Sequence, residues 1–284
     1  VEFQFTDDPK VVWKEIPSAA ATDQCLDLYK GITDNETNIQ LYECTGHDPQ
    51  QWLIDGPYIR LAKNTDKCVE VNSSKTAVYL YDCDYGTSQQ WIYDGLSSTF
   101  RSAIYPKDAC LGLMNGSTAN DTDVRAVPCT GSNTQQWQIE GATSAATSSV
   151  VKTIYQASNT DKRLDLYQGI IANTSNIQLY QCTGHDPQQW VFDEDNLRIQ
   201  INKDQDWCVD LKGGHTDNGT NIELYECHER DNQQWLYDGL TQSFRTAVDP
   251  SKCLQVEGTT FVNDSNVELS DCDGSDAQRW VIED

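Results

Sequence analysis

The chain has 284 residues and a formal net charge of −24. At roughly 100–200 residues per domain, that length favours two domains. So acidic a surface repels polyanions and anionic bilayers, which argues against nucleic acid and against membrane insertion. Hydrophobic residues make up 38% of the chain, with Gly at 17 positions, Tyr at 13, Trp at 8 and Met at one. That mixture suits short aromatic-rich strands joined by many turns. No apolar stretch has transmembrane length, and no Asp-rich loop has EF-hand spacing, so no metal and no cofactor is expected.

In chain order, Val1–Lys10 is an extension without a visible signal peptide, read as the start of a processed chain. Residues 11–140 form a first domain, 141–150 a linker of small polar residues, and 151–284 a second domain. Six segments end in Gln-x-Trp, at Trp52, Trp91, Trp137, Trp190, Trp235 and Trp280. The run Asn38–Trp52 recurs almost unchanged as Asn176–Trp190, so the chain reads as a duplicated three-repeat domain. Within a repeat, Ile39-Gln40-Leu41-Tyr42 alternates strictly. That pattern predicts a strand with Ile39 and Leu41 inward and Gln40 and Tyr42 outward. Several short strands per repeat, three repeats per domain, predict a closed threefold all-β fold. A tryptophan present in every repeat is read as core.

Cys25 and Cys44, Cys110 and Cys129, Cys208 and Cys227, and Cys253 and Cys272 are each 19 positions apart, and Cys68 and Cys83 are 15 apart. These are read as five local disulfides, each contributing roughly 3 kcal/mol if unstrained. Zinc is disfavoured because there is no CxxC pair and only 4 His. Cys182 is left over, since Arg163 stands where its partner would be; it is either a free thiol or the half of an interchain disulfide. Disulfides imply an oxidising, extracellular compartment. Asn-x-Ser/Thr sequons at Asn35, Asn72, Asn115, Asn120, Asn173, Asn218 and Asn263 agree with secretion and are candidate N-glycosylation sites.

The order C-x-D, I-Q-L-Y-x-C, Q-x-W resembles the ricin-B-type (R-type) lectin family from about Val11 to Asp284. The resemblance implies two tandem β-trefoil domains and up to three shallow sugar sites in each, for galactose, N-acetylgalactosamine or xylose-type ligands. It further implies that the Asp of C-x-D accepts from sugar hydroxyls. The aromatic two residues after the Gln of I-Q-L-Y then lies against the pyranose C–H face, and amides around Q-x-W orient the rest.

On that pattern, repeat one offers Asp27, Gln40, Tyr42 and Gln50, and repeat four offers Asp165, Gln178, Tyr180 and Gln188. Pro49 and Pro187 stand where the family often has Asn, leaving His47 or Asp48, and His185 or Asp186, to supply the missing contact. Repeat five offers Asp210, Tyr225, Asn232, Gln233 and His228, with Glu223 in place of Gln. Repeat two, with Glu70, Tyr79 and Tyr81, is expected to be weak. Repeats three (Gly112, Arg125, Val127) and six (Gln255, Glu268, Ser270) are expected to be inactive. The bland reading of each Asp is a turn residue bonded to nearby backbone. Against it, the acid and the Tyr disappear together in repeats three and six while Q-x-W persists. His47 and His185 read as polar turn residues, and no Ser–His–Asp order, paired-acid motif or phosphate loop stands out. The expectation is a secreted, multivalent lectin rather than an enzyme. Two other arrangements fit the same residues: the targeting module of a larger enzyme or toxin with a catalytic partner chain, and a structural subunit of an extracellular glycoprotein assembly.

Overall fold

The structure, a computed structural model, describes residues 13–74, 76–104, 109–142 and 151–283. The Val1–Lys10 extension and most of the 141–150 linker lie outside them. The chain divides into two compact units, one of residues up to Tyr93 with Ser98–Gly141, the other of Asp94–Ser97 with residues from Ala142 on. The fold is all-β, and among the described residues the helical segments are single 3₁₀ turns between strands.

The second unit shows the trefoil most clearly. Its twelve strands begin at Val151–Gln156 and end at Trp280–Glu283, and these two pair with each other to close the barrel. Each lobe contains one antiparallel strand pair that holds the candidate acid position. In lobe four this is Asn159–Leu166 against Ser175–Gln181, with Asp165 opposite Gln178 and Leu164 opposite Leu179. The alternation holds for the apolar positions: Leu164, Ile177 and Leu179 are fully buried. Gln40 and Gln178 also lie on the face opposite the core, yet they are only 4% exposed. The face opposite the core is covered at that position, because each glutamine is drawn onto the acid across the strand pair.

The six Q-x-W tryptophans are core, none more than 2% exposed. Burying one large apolar side chain is worth about 1.5–3 kcal/mol. In the second unit they pack with Ile177, Ile222 and Val267, one from each lobe.

A ring of side chains closes the second unit around its threefold axis. Asn176 donates to Asn266 (3.1 Å), Asn266 to Asn221 (3.0 Å) and Asn221 to Asn176 (3.0 Å). Each asparagine amide both gives and takes. In the first unit Asn38 instead donates to Asp123 (2.9 Å).

Five of the sequon asparagines latch neighbouring lobes. The backbone N–H of Asp82 donates to Asn35 Oδ1 (3.0 Å), and that of Glu43 to Asn120 (3.0 Å). In the second unit the relay runs full circle: Glu226 N–H to Asn173 (2.9 Å), Asp271 N–H to Asn218 (3.0 Å) and Gln181 N–H to Asn263 (3.0 Å). The residue after each asparagine has positive φ, as at Glu36 (65°) and Asp264 (64°). The hydroxyl two positions on can close the turn, as Thr37 does on Asp34 O and Thr220 on Asp217 O, both at 2.8 Å. At Asn35 and Asn218, turn chemistry therefore accounts for the Asn-x-Thr spacing.

The five disulfides join the expected pairs, Cys25–Cys44, Cys68–Cys83, Cys110–Cys129, Cys208–Cys227 and Cys253–Cys272. Cys182 is free and exposed. In that lobe Arg163 stands opposite Tyr180, stacks over the Tyr155 ring (4.7 Å) and donates to Thr160 O (2.7 Å).

Candidate functional site

The acid position of every lobe is set from behind by its tryptophan. Trp52 Nε1 donates to Leu26 O, Trp190 Nε1 to Leu164 O and Trp235 Nε1 to Val209 O, at 2.9, 3.1 and 3.0 Å. Each accepting carbonyl belongs to the residue just before Asp27, Asp165 or Asp210. The glutamine of Q-x-W staples the adjacent turn. Gln188 Oε1 accepts from Thr183 N–H (2.8 Å) while its Nε2 donates to Gln181 O (2.8 Å), and Gln50 does the same with Thr45 and Glu43. Gln50, Gln188 and Gln233 are at most 1% exposed. They support the acid and its turn rather than standing open at the surface.

In lobe four Gln178 Nε2 donates to Asp165 Oδ1 (2.9 Å), and in lobe one Gln40 does so to Asp27 (2.8 Å). Asp165 and Asp27 are 6% and 7% exposed. Burial pushes both carboxyls above the ordinary aspartate value, opposed by the amides of Gln178 and Gln188, and of Gln40 and Gln50. A carboxylate has about four lone-pair sites, so amide contacts leave it capacity for further donors. An open cavity of about 370 Å³ lies beside Asp165, lined among others by Gln178, Tyr180, Tyr167, His185 and Pro187. Tyr42 and Tyr180 are half-buried, not in the core.

Sequence reasoning had not singled out Tyr167. It sits on the turn just after the acid, is 41% exposed, and its hydroxyl accepts from Gln168 Nε2 (2.9 Å). Tyr29 is its counterpart in lobe one, 36% exposed. The turn carrying Tyr167 is held by Gln168 (φ 53°) and Gly169 (φ 64°), and a Cβ on Gly169 would stand 2.9 Å from Pro187 Cγ. Pro187 thus replaces an amide contact with close packing of two turns, as Pro49 does against Gly31. Of the two candidates beside each proline, His185 lines the Asp165 cavity whereas Asp186 does not. In lobe one His47 is exposed and Asp48 faces Lys63 at 3.8 Å.

Lobe five is more crowded. Asn232 and Gln233 both donate to Asp210 Oδ2 (2.8 and 2.9 Å), and His228 Nε2 lies 3.4 Å from the same oxygen. Glu223 stands directly opposite Asp210 and 3.8 Å from Lys212 Nζ. Burial pushes Asp210 up to about 6 and also raises Glu223. Burial holds His228 below its ordinary value, so it is a neutral donor or acceptor near pH 7. Tyr225 and His228 have ring centroids 6.1 Å apart.

Residues 12–137, 57–168, 99–205 and 150–280 each match the model of the ricin-type beta-trefoil lectin domain. The chain belongs to this family. The staggered matches advance by one lobe at a time, because any three consecutive repeats carry the family pattern. Among solved structures, an agglutinin from Abrus precatorius is 17% identical over 99% of this chain and 99% of its own, with a TM-score of 0.41. A non-toxic homologue of type II RIPs from Momordica charantia, solved with α-methyl-D-galactoside, is 20% identical over 97% and 98%, with a TM-score of 0.40. A mosquitocidal holotoxin is 16% identical with a TM-score of 0.43; it matches 99% of this chain, which spans 35% of the holotoxin's length. No curated protein sequence matches.

The other ricin-type lobes differ at the same cross-strand pair. In lobe two Glu70 is occupied by Tyr79 Oη (3.2 Å) and Gln89 Nε2 (2.7 Å). In lobe three a Cβ on Gly112 would stand 2.5 Å from Val127 Cγ2, so a side chain there would have to displace Val127, and Arg125 turns to Asp123 (2.7 Å). Lobe six reverses the polarity: Gln255 takes the acid's place and donates to Glu268 (3.0 Å) on the partner strand. Ser270 stands in the tyrosine position there. Among the described residues, no group of three or more His, Cys, Asp or Glu is placed to hold a metal ion.

Proposed function

We propose that this ricin-type trefoil protein is a carbohydrate-binding lectin that engages sugars at lobes one, four and five. The observation that carries the reading is the lobe-four cavity, where Asp165, Gln178, Tyr180 and Tyr167 meet around one open space of about 370 Å³. Asp165 accepts from two adjacent sugar hydroxyls, with its geometry preset by Gln178. Tyr180 and Tyr167 offer apolar surface to the C–H face of the ring. His185 reaches a remaining hydroxyl. Lobe one repeats the arrangement with Asp27, Gln40, Tyr42 and Tyr29, and lobe five varies it with Asp210, Glu223, Tyr225, His228 and Asn232.

The sugar class is galactose or N-acetylgalactosamine, whose adjacent hydroxyls suit a single carboxylate and whose opposite face is rich in C–H. Single open sites bind at about 1 mM to 10 μM, because water competes for every hydrogen bond. Several sites per chain then give avidity on a glycan-dense surface. Five disulfides support secretion. A glycan array comparing the native chain with single Asp→Asn variants at Asp27, Asp165 and Asp210 tests the assignment lobe by lobe. Each variant should lose a share of the signal, and three unaffected variants would refute it.

A further inference from the structure

A second cavity, of about 260 Å³, adjoins the one at Asp165. The two share Leu166, Gln168, Gly169, His185 and Pro187 as lining. Their common wall is therefore the contact between the turn after the acid and the Pro187 turn. That wall is stiff. Gln168 and Gly169 both have positive φ, and there is no room for a side chain between Gly169 and Pro187. Gln168 and His185 line both spaces.

The far cavity adds Ile171, Asp186, Ile201 and Lys203. Asp186 and Lys203 are exposed, Ile171 is half-buried and Ile201 is 1% exposed. The surface thus offers one strong acceptor, one strong donor and a small branched apolar floor. A charged ligand would meet both signs of charge there. A neutral pyranose meets what it needs: hydroxyl partners at two edges and aliphatic carbon beneath its C–H face. Asp186 also finds a place, since it does not reach the Asp165 cavity.

We propose that lobe four binds a neutral oligosaccharide of at least two pyranose rings, the first at Asp165 and the second against Ile171, Asp186 and Lys203. The inference rests on the sugar reading of Asp165. Crossing the wall beside Gln168 and His185 makes the linkage between the rings, and not only the terminal sugar, a determinant of specificity.

The test uses the full chain with Asp27→Asn and Asp210→Asn, so that lobe four reports alone. An array of galactose- and N-acetylgalactosamine-terminated mono- to hexasaccharides selects ligands. Calorimetry then compares each selected oligosaccharide with its own terminal monosaccharide as the methyl glycoside. The oligosaccharide should bind about tenfold more tightly. Lys203→Ala and Ile171→Ala, each made singly, should reduce that advantage while leaving the monosaccharide affinity unchanged. Equal affinities for mono- and oligosaccharide, or an advantage that survives both substitutions, would overturn the second subsite alone. Monosaccharide binding that survives Asp165→Asn, or an array without any ligand, would overturn the sugar reading and this inference with it.

Discussion

Gln178 donates its side-chain amide to Asp165 Oδ1 at 2.9 Å, directly across a strand pair, and both residues are almost fully buried. Gln40 and Asp27 repeat the contact at 2.8 Å in the other unit. The amide opposes the rise that burial imposes on the carboxyl and aims it, while leaving it lone pairs for a ligand. Gln178→Ala removes a hydrogen bond to a charged group, worth about 1.5–3 kcal/mol. Sugar affinity at lobe four should fall by roughly tenfold or more, and the Asp165 carboxyl should rise further. Calorimetry and carboxyl titration by NMR check the two effects.

Lobe five should be the acid-sensitive one. Burial pushes Asp210 up to about 6, from an ordinary value of 3.8. The folded state thus holds this proton more tightly than the unfolded chain. Its contribution to stability is full below the unfolded value and is lost as pH rises through about 6. Binding that needs the ionised acid runs the other way and appears over the same window. In a chain carrying Asp27→Asn and Asp165→Asn, glycan titration should show affinity rising through about pH 6. A flat profile from pH 5 to 8 would contradict the role given to Asp210.

The scaffold was readable because its constraints repeat. Trp52 through Trp280 serve one purpose in six lobes, so their presence beside degenerate acids already marked them as core. The cysteine spacing likewise led to the right pairs. Less was legible where a side chain acts through geometry. Nothing in an alternating pattern tells that Gln178 folds back onto Asp165 instead of facing solvent. Nor does it tell that Gln188 also staples the adjacent turn through Thr183 and Gln181. Tyr29 and Tyr167 lie in a turn, where periodicity carries no signal, although their recurrence two positions after Asp27 and Asp165 was visible. The latching role of the sequon asparagines was not legible, because the positive φ of the following residue is invisible in sequence.

The asparagine ring gives an internally controlled test of trefoil closure. Asn221→Ala leaves Asn266 without its acceptor and Asn176 without its donor. The ring asparagines are half-buried, so leaving two of them unsatisfied costs less than the ~1–3 kcal/mol of a fully buried group, and chemical denaturation should show the second unit modestly destabilised. Asn38→Ala breaks one contact in the first unit and should cost less.

Cys182 is exposed and unpaired, whereas the other ten cysteines are bonded in pairs. Native protein treated with a maleimide before any reductant should gain one label per chain, at Cys182. Label at any other cysteine would contradict the disulfide assignment. A dimer band on a non-reducing gel, lost in Cys182→Ser, would place Cys182 in an interchain bond.

The most direct measurement is glycan-array binding by the chain carrying Asp27→Asn, Asp165→Asn and Asp210→Asn together, with its fold verified by circular dichroism. These isosteric changes remove three charges and leave the tryptophan contacts behind the acids in place. The account predicts that glycan binding disappears while the fold persists. Glycan binding at native strength in that triple variant would contradict it.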